Sequence, residues 1–519
     1  CDRWTCSRAC CVSSARAAAD TNIPVIGNSG ERQLREIYQK FRAGLRAHTL
    51  AKVLVQAVSW LGTVYVLRTL DAHAVGLFAI ASVAFGYASL MYEGSMLETL
   101  VQEHPQSREE RRSVFSLLLA MGVGSAVVLA ALAGPIAALA ETPEVAAIIA
   151  VLAVSLITIA LGILPHARLI HDMRFGPLAV VSSVQALVSS VTMVLLARSG
   201  AGAWSLVWSQ VAGSLVRTIM LNVAVPSLHI PTRALSYALR YLRTSTILIA
   251  DGLLFRWYTS IDVFLLGRWS GAAQLGLFSF GQQVANTPLE KISTVVNDVS
   301  LPAYARLAAD RNEAARLMLE TMRTHGAIGL PVFWGIASVA LTAVPVIFGE
   351  QWMPAVFPLV AMAVVAPLRL IGSVETPAMT GIGRAMVLLQ TKFVIVPVMT
   401  VALIAGAWWD GVRGVSFAWL CAFPPVYALA FRLVLRAIGL SYAQVLGVLR
   451  GPAIAAGVMS LAVAGLQHLA NAELHAPPAV QLLALIACGA VLYPAALWIA
   501  DRHAFDLLRQ RAQLLVSGH

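Results

Sequence analysis

Ionisable side chains stand inside stretches of this sequence that are otherwise apolar. Asp251, Arg256 and Asp262 fall within residues 245–267. At 3.6 residues per turn, eleven helical steps return Asp262 to within about 20° of Asp251, with about 16 Å between them. The two carboxylates then share a face, and Tyr258 lies on it. Arg256 stands roughly 120–140° from either carboxylate, so an anion, water or another helix must offset its charge, and Glu290 is the best protein candidate. Residues 275–299 carry Gln283, Asn286, Glu290, Thr294 and Asn297 at steps of three and four, with Lys291 beside that stripe. Residues 354–376 add Arg369 and Glu375, flanked by Pro367 and Pro377. A guanidinium can hold an oxyanion through two parallel hydrogen bonds, whereas an ammonium acts as a point charge. This set fits a hydrated cavity lined by Arg256, Tyr258, Glu290, Lys291 and Arg369, with Asp251, Asp262 and Glu375 able to couple to an ion. The plainer reading makes the same residues structural ion pairs, or side chains that snorkel to an interface.

The elements that carry them follow from composition. The 519 residues are 58% hydrophobic and 12% charged, with a mean hydropathy of +0.76. A soluble domain has about 25% charged residues, so a soluble enzyme and a disordered chain are both excluded. The net charge of +11 does not indicate nucleic acid, because a membrane protein gathers cations in its cytoplasmic loops. Four of the six cysteines (Cys1, Cys6, Cys10 and Cys11) fall at the start, and Cys421 and Cys488 lie in apolar stretches. No zinc or disulfide spacing emerges. The first methionine is Met91, and residues 1–30 read as a truncated or misassigned start.

A spanning helix needs about 20 mainly apolar residues. Such stretches occur near 48–68, 77–97, 114–138, 145–167, 176–197, 203–224 and 245–267. They continue near 275–299, 326–348, 354–376, 386–408, 414–435, 452–470 and 479–500. The expectation is an all-α integral membrane protein of about fourteen spans, with an amphipathic segment near 303–325. Most Lys and Arg fall in the N-terminus, in alternate loops and in the C-terminus, whereas Arg68, Arg198, Arg268 and Arg413 occupy the other loops. The positive-inside rule then puts both termini in the cytoplasm. Trp204, Trp208, Trp269, Trp352, Trp408 and Trp409 gather near the predicted outer ends, as an aromatic belt would. His166 reads as interfacial, with no ligand-spaced neighbours for a metal.

The sequence also repeats itself. VYVL at 64–67 returns as VFLL at 263–266, and VGLFAIA at 75–81 as LGLFSFG at 275–281. Glu98 matches Asp298 at the same offset, close to 200 residues. Two six-helix lobes of like orientation follow, at 48–225 and 226–436, preceded by a cytoplasmic segment at 1–47. Two extra helices and a tail occupy 437–519. Parallel repeats of this kind are a transporter plan with a substrate site between the halves.

The segments YVLRTLDAHAVGLFAIASV, RFGPLAVV and GAGAWSLV resemble the Wzx-type polysaccharide flippases, as does SIDVFLLGRWSGAAQLGLFSFGQQVANTPLEKISTVVNDVSLPAYARL. The pattern is especially similar to the colanic-acid-exporter branch. That resemblance implies fourteen helices in two lobes, alternating access, and an undecaprenyl-pyrophosphate-linked glycan as substrate in the bacterial inner membrane. It also implies contact with membrane lipids and a polysaccharide polymerase, no cofactor, and coupling to a proton or sodium gradient. Arg256, Lys291 and Arg369 would then meet the pyrophosphate or acidic sugars. A multidrug/cation antiporter and a lipid II flippase are the rivals within the superfamily. A membrane-embedded glycosyltransferase or polymerase would need larger outer loops than 198–203 or 409–413, and no Walker, zinc-protease or nucleophile-elbow motif occurs.

Overall fold

A computed structural model describes residues 55–517, apart from 94, 103–104, 106, 233–235, 308–309 and 474–476. Segment 1–47 and the opening of the first expected span lie outside the described residues, as do the side chains of Glu98, Thr294, Asn297 and Asp298. Within lipid each backbone N–H and C=O must be satisfied inside its own segment, and the described chain is correspondingly helical between turns. Helix α1 covers 55–69. It is followed by α2 (Ala72–Glu93), α3 (Ser95–Gln102), α4 (Arg108–Leu139), α5 (Glu144–His171), α6 (Phe175–Arg198) and α7 (Ala203–Ala224). The second half holds α8 (Ser236–Trp269), α9 (Gly271–Arg306), α10 (Arg311–Ile347), α11 (Val356–Gly372), α12 (Glu375–Gly381), α13 (Met386–Cys421) and α14 (Phe423–Ile438). Helices α15 (Tyr442–Glu473), α16 (Pro478–Ala500) and α17 (Arg502–Ser517) complete it. Among the described residues, nine stretches are long and apolar enough to cross a membrane. The chain is an all-helical, multi-pass membrane protein.

One of those nine, Met386–Ile438, is 53 residues long, far more than a bilayer crossing needs. Asp410 and Gly411 leave helical geometry within it, Gly411 at φ 49°. Gly406 and Gly414 then lie backbone to backbone, so a Cβ on either would fall on the carbonyl of the other. The chain therefore doubles back there, at the turn expected between 408 and 414.

The amphipathic segment expected near 303–325 is not a separate element. Its first residues complete α9, a turn follows, and Asp310 caps α10 by accepting from the N–H groups of Asn312 and Glu313. Tyr304, Ala314, Met318 and Met322 are buried along it, so these helix ends are held by packing. At the other entry point, Ser107 and Glu110 form a reciprocal capping box for α4, satisfying two N–H groups that the helix itself leaves open.

Elements from both halves meet where α1 and α10 end. Arg68 donates through Nε to the Ile347 carbonyl at 2.7 Å and through Nη2 to the Val346 carbonyl. A cation at a helix C-terminus offsets its partial negative charge. Gln351 donates to the carbonyls of Leu67, Arg68 and Leu70, and Trp352 Nε1 to that of Leu67 at 2.7 Å. Trp352 thus departs from the expected aromatic belt. It is fully buried and stacked on Phe280 at 4.3 Å, because its N–H finds a carbonyl inside the protein instead of at the lipid interface. Trp408 and Trp409 remain 84% and 70% exposed.

Candidate functional site

The polar groups of the second half converge on the indole of Trp419. Asp262 of α8 is fully buried and accepts three hydrogen bonds: from Trp419 Nε1 at 3.1 Å, Gln282 Nε2 at 3.2 Å and the Val263 N–H at 2.9 Å. A buried carboxylate left without donors would cost several kcal/mol, and here donors from three helices converge on it. The Arg369 guanidinium of α11 lies 5.6 Å from the centroid of the same indole. It also donates to Asn286 Oδ1 of α9 at 2.7 Å. One buried ring thereby supplies an N–H to the carboxylate and a π-face to the cation.

From Trp419 a column of aromatic rings runs along α13 and α14. Tyr258 is buried, with its centroid 6.4 Å from Trp419. Phe423, Tyr427 and Phe431 follow at 5.4, 5.6 and 5.6 Å. Tyr427 donates its hydroxyl to buried Glu375 Oε1 at 2.6 Å. The spacing of four between these rings is one face of a helix, and it was open to reading in the sequence.

The remaining candidates lie apart from Trp419. Asp251 stands 4.0 Å from Lys392 Nζ of α13, whose ammonium is also 5.7 Å from the Phe255 ring. The two carboxylates of α8 thus meet different arms of α13, Asp251 the one before the turn at Gly411 through Lys392 and Asp262 the one after it through Trp419. Arg256 does not meet Glu290, its expected partner. Its Nη2 reaches the Ser82 carbonyl of α2 at 3.4 Å, and the guanidinium fills the space that a side chain on Gly86 would need. Glycine at 86 lets the cation lie against the α2 backbone, and that contact replaces an ion pair. Glu290 and Lys291 are exposed. The structure thus groups Tyr258, Asp262 and Arg369 about Trp419, with Glu375 two ring contacts further on, whereas Asp251 and Arg256 make their contacts at Lys392 and on α2. Sequence reasoning passed over Trp419, Tyr427, Gln282 and Lys392. Lys392 had a plain signal, a lone cation in the apolar run 386–408. In the first half His166 Nδ1 lies 3.2 Å from Arg217 Nη2.

The bundle also holds an apolar cavity of about 620 Å³. Trp60 and Val64 of α1, Pro288 of α9, Val344 of α10, Met459 of α15 and Leu485 of α16 are among its walls. Pro288 stands two residues, about 200° around α9, from Asn286, so the apolar space and the cation site lie on different faces of one helix.

A family model described as "Polysaccharide biosynthesis protein" matches residues 66–357. Among curated proteins, the succinoglycan biosynthesis transport protein ExoT of Rhizobium meliloti (strain 1021) is 26% identical over 448 residues, which is 85% of this chain and 89% of that protein. The lipopolysaccharide biosynthesis protein WzxC of Escherichia coli (strain K12) is 22% identical over 64% of this chain and 68% of that protein. Among solved structures, the lipid II flippase MurJ in an inward closed conformation aligns with a TM-score of 0.68 and 13% identity, over 89% of this chain and 99% of that one. An inward-facing multidrug resistance MATE family transporter aligns with a TM-score of 0.57 and 13% identity, over 75% and 98%. These likenesses give the fold. The family match, which covers more than half the chain, gives the lineage: this chain belongs to the polysaccharide biosynthesis protein family and is a membrane transporter of the Wzx flippase type.

Proposed function

We propose that the chain moves a lipid-linked oligosaccharide, carried on undecaprenyl pyrophosphate, from the cytoplasmic to the outer leaflet of a bacterial inner membrane by alternating access. The observation that carries this reading is that α9 bears both Val284 and Pro288, which wall an apolar cavity of about 620 Å³, and Asn286, which accepts from Arg369. A prenyl chain needs an apolar wall and its pyrophosphate needs a cation, and α9 borders both. In this reading Arg369 and Arg256 are the substrate cations, with Tyr258, Glu290 and Lys291 along the glycan path. Asp251, Asp262 and Glu375 respond to a proton or sodium gradient, and no cofactor takes part.

The reading includes fourteen spans. Dividing Met386–Ile438 at Gly411 turns nine stretches into ten, and α1, α7, α8 and α9 supply the rest. The last three carry polar side chains across the membrane, which lowers their hydropathy. Two lobes, 48–225 and 226–436, and an appended pair within 437–519 account for the repeat. The arginine-rich loops, 1–47 and 501–519 are cytoplasmic, and the delivered glycan passes to a polysaccharide polymerase. Deleting the gene in a strain with no second flippase should stop a surface or secreted polysaccharide and leave its lipid-linked repeat unit in the cytoplasmic leaflet. Normal polymer together with new drug sensitivity would overturn the proposal in favour of an antiporter.

A further inference from the structure

A second cavity, of about 1050 Å³, opens at the end of the bundle where the chain turns after Trp269, after Ile347 and at Asp410–Gly411. It shares only Ser338 with the cavity described above. Its walls are largely apolar, with Leu341 of α10, Phe357 of α11 and Ala464 of α15 among them. Its charged lining is one-signed: Arg413 contributes a cation, His468 an imidazole, and no Asp or Glu lines it among the described residues. Gln467 is buried and already bonded to Thr342 Oγ1 at 2.7 Å, so it makes no further demand on an occupant. Arg413 is exposed, and no ion-pair partner for it occurs among the described residues. Asp410 stands three residues before it, exposed at the turn and outside the lining.

The depth of this mouth in the membrane is marked by aromatic residues. Trp408 and Trp409 project from the same turn, and Trp409 contacts Phe417 at 6.1 Å, which contacts Phe357 of the cavity wall at 5.0 Å. Exposed tryptophans at a helix end settle at headgroup level. A slot with apolar walls and a lone guanidinium at headgroup depth matches a lipid whose chain enters and whose phosphate stays at the mouth. We infer that this cavity binds an anionic phospholipid, with its phosphate on Arg413 and an acyl chain between α10, α11 and α15. A zwitterionic lipid fits less well, since its ammonium group meets Arg413 with no carboxylate in the lining to receive it.

The test is native mass spectrometry of the purified full chain released from detergent with phosphatidylglycerol or with phosphatidylcholine of the same acyl chains. The wild-type chain should retain phosphatidylglycerol about fivefold better, the factor that corresponds to about 1 kcal/mol for one basic residue at a charged lipid. Arg413→Ala should remove that preference, whereas Arg198→Ala, at an exposed helix end away from the cavity, should keep it. Soluble glycerol phosphate should not displace the lipid. Equal retention of the two lipids, an unchanged preference in Arg413→Ala, an equal loss in both variants, or displacement by glycerol phosphate would each overturn the inference. Binding is read without transport, so the outcome is independent of the flippase reading.

Discussion

Gly76 of α2 and Gly276 of α9 make the same contact from opposite sides. A Cβ on Gly76 would fall on the Ala272 carbonyl oxygen, and a Cβ on Gly276 would fall on that of Ala72. Residue i meeting j while j meets i is the mark of a two-fold contact. Both pairs are related by the offset of 200 that links VGLFAIA to LGLFSFG. A bulky side chain at either glycine should pry the two helices apart, since overpacking costs about 1–3 kcal/mol. Spin labels at His73 and Ala273 should therefore report a longer separation in Gly76→Leu and in Gly276→Leu alike. An unchanged distance in both would show that the contact does not set the spacing.

Trp419 joins Asp262 to Arg369 through two different parts of one ring, and two substitutions separate them. Trp419→Phe keeps a π-face for Arg369 and removes the N–H that Asp262 accepts. Leaving a buried acceptor short of one donor costs about 1–3 kcal/mol. Thermal unfolding should show that loss, with transport of the glycan retained in part. Trp419→Ala removes both contacts and should abolish transport. If the Phe variant were as inactive as the Ala variant while equally folded, the cation contact would not be what transport needs.

The seat of Arg256 on α2 gives a test that does not touch the arginine. Gly86→Leu should displace the guanidinium and reproduce the transport defect of Arg256→Ala. Arg256→Lys should keep partial transport, because the charge survives and the bidentate geometry does not. Full activity in Gly86→Leu would mean that Arg256 can act from another position. Combining Arg256→Ala with Glu290→Gln should bring no rescue, since the contacts of Arg256 lie at Ser82 and Gly86.

His229 lies in the connection between α7 and α8, where the Thr232 N–H donates to Ser116 Oγ at 2.7 Å and Phe115 meets the imidazole edge-on at 6.0 Å. Burial, and then the charge of Arg111, hold this histidine below its usual 6.5. The released chain therefore binds the proton more readily than the docked one. Docking is at full strength above pH 6.5 and weakens as pH falls below it. Hydrogen exchange at Thr232 should quicken on acidification in the wild-type chain and lose that pH dependence in His229→Gln. Equal pH dependence in both would assign the effect to another group.

The helices were legible because lipid leaves the backbone few alternatives, so runs of about 20 apolar residues announce themselves. The turn at Gly411 was legible for the same reason. The extensions of α9 and α10 past the apolar runs were not, because Tyr304, Met318 and Met322 are buried by neighbours that hydropathy does not register. Within the site, helical periodicity led to the expectation that Asp251 and Asp262 share a face. Their partners Lys392 and Trp419 depend on which helix packs beside α8, and spacing along one helix carries no such information. Arg256 illustrates the same limit, since its contact is a backbone exposed by a glycine 170 positions earlier.

Vectorial movement of a lipid-linked glycan is measured directly by reconstitution. Vesicles holding the purified chain and a labelled undecaprenyl-pyrophosphate oligosaccharide would be exposed to an external glycosidase that cannot cross the bilayer. Cleavage should proceed beyond the outer-leaflet half of the label with the wild-type chain, and stop there with Arg369→Ala and in protein-free vesicles. Cleavage that stops at the outer leaflet with the wild-type chain, under imposed proton and sodium gradients of either direction, would contradict it.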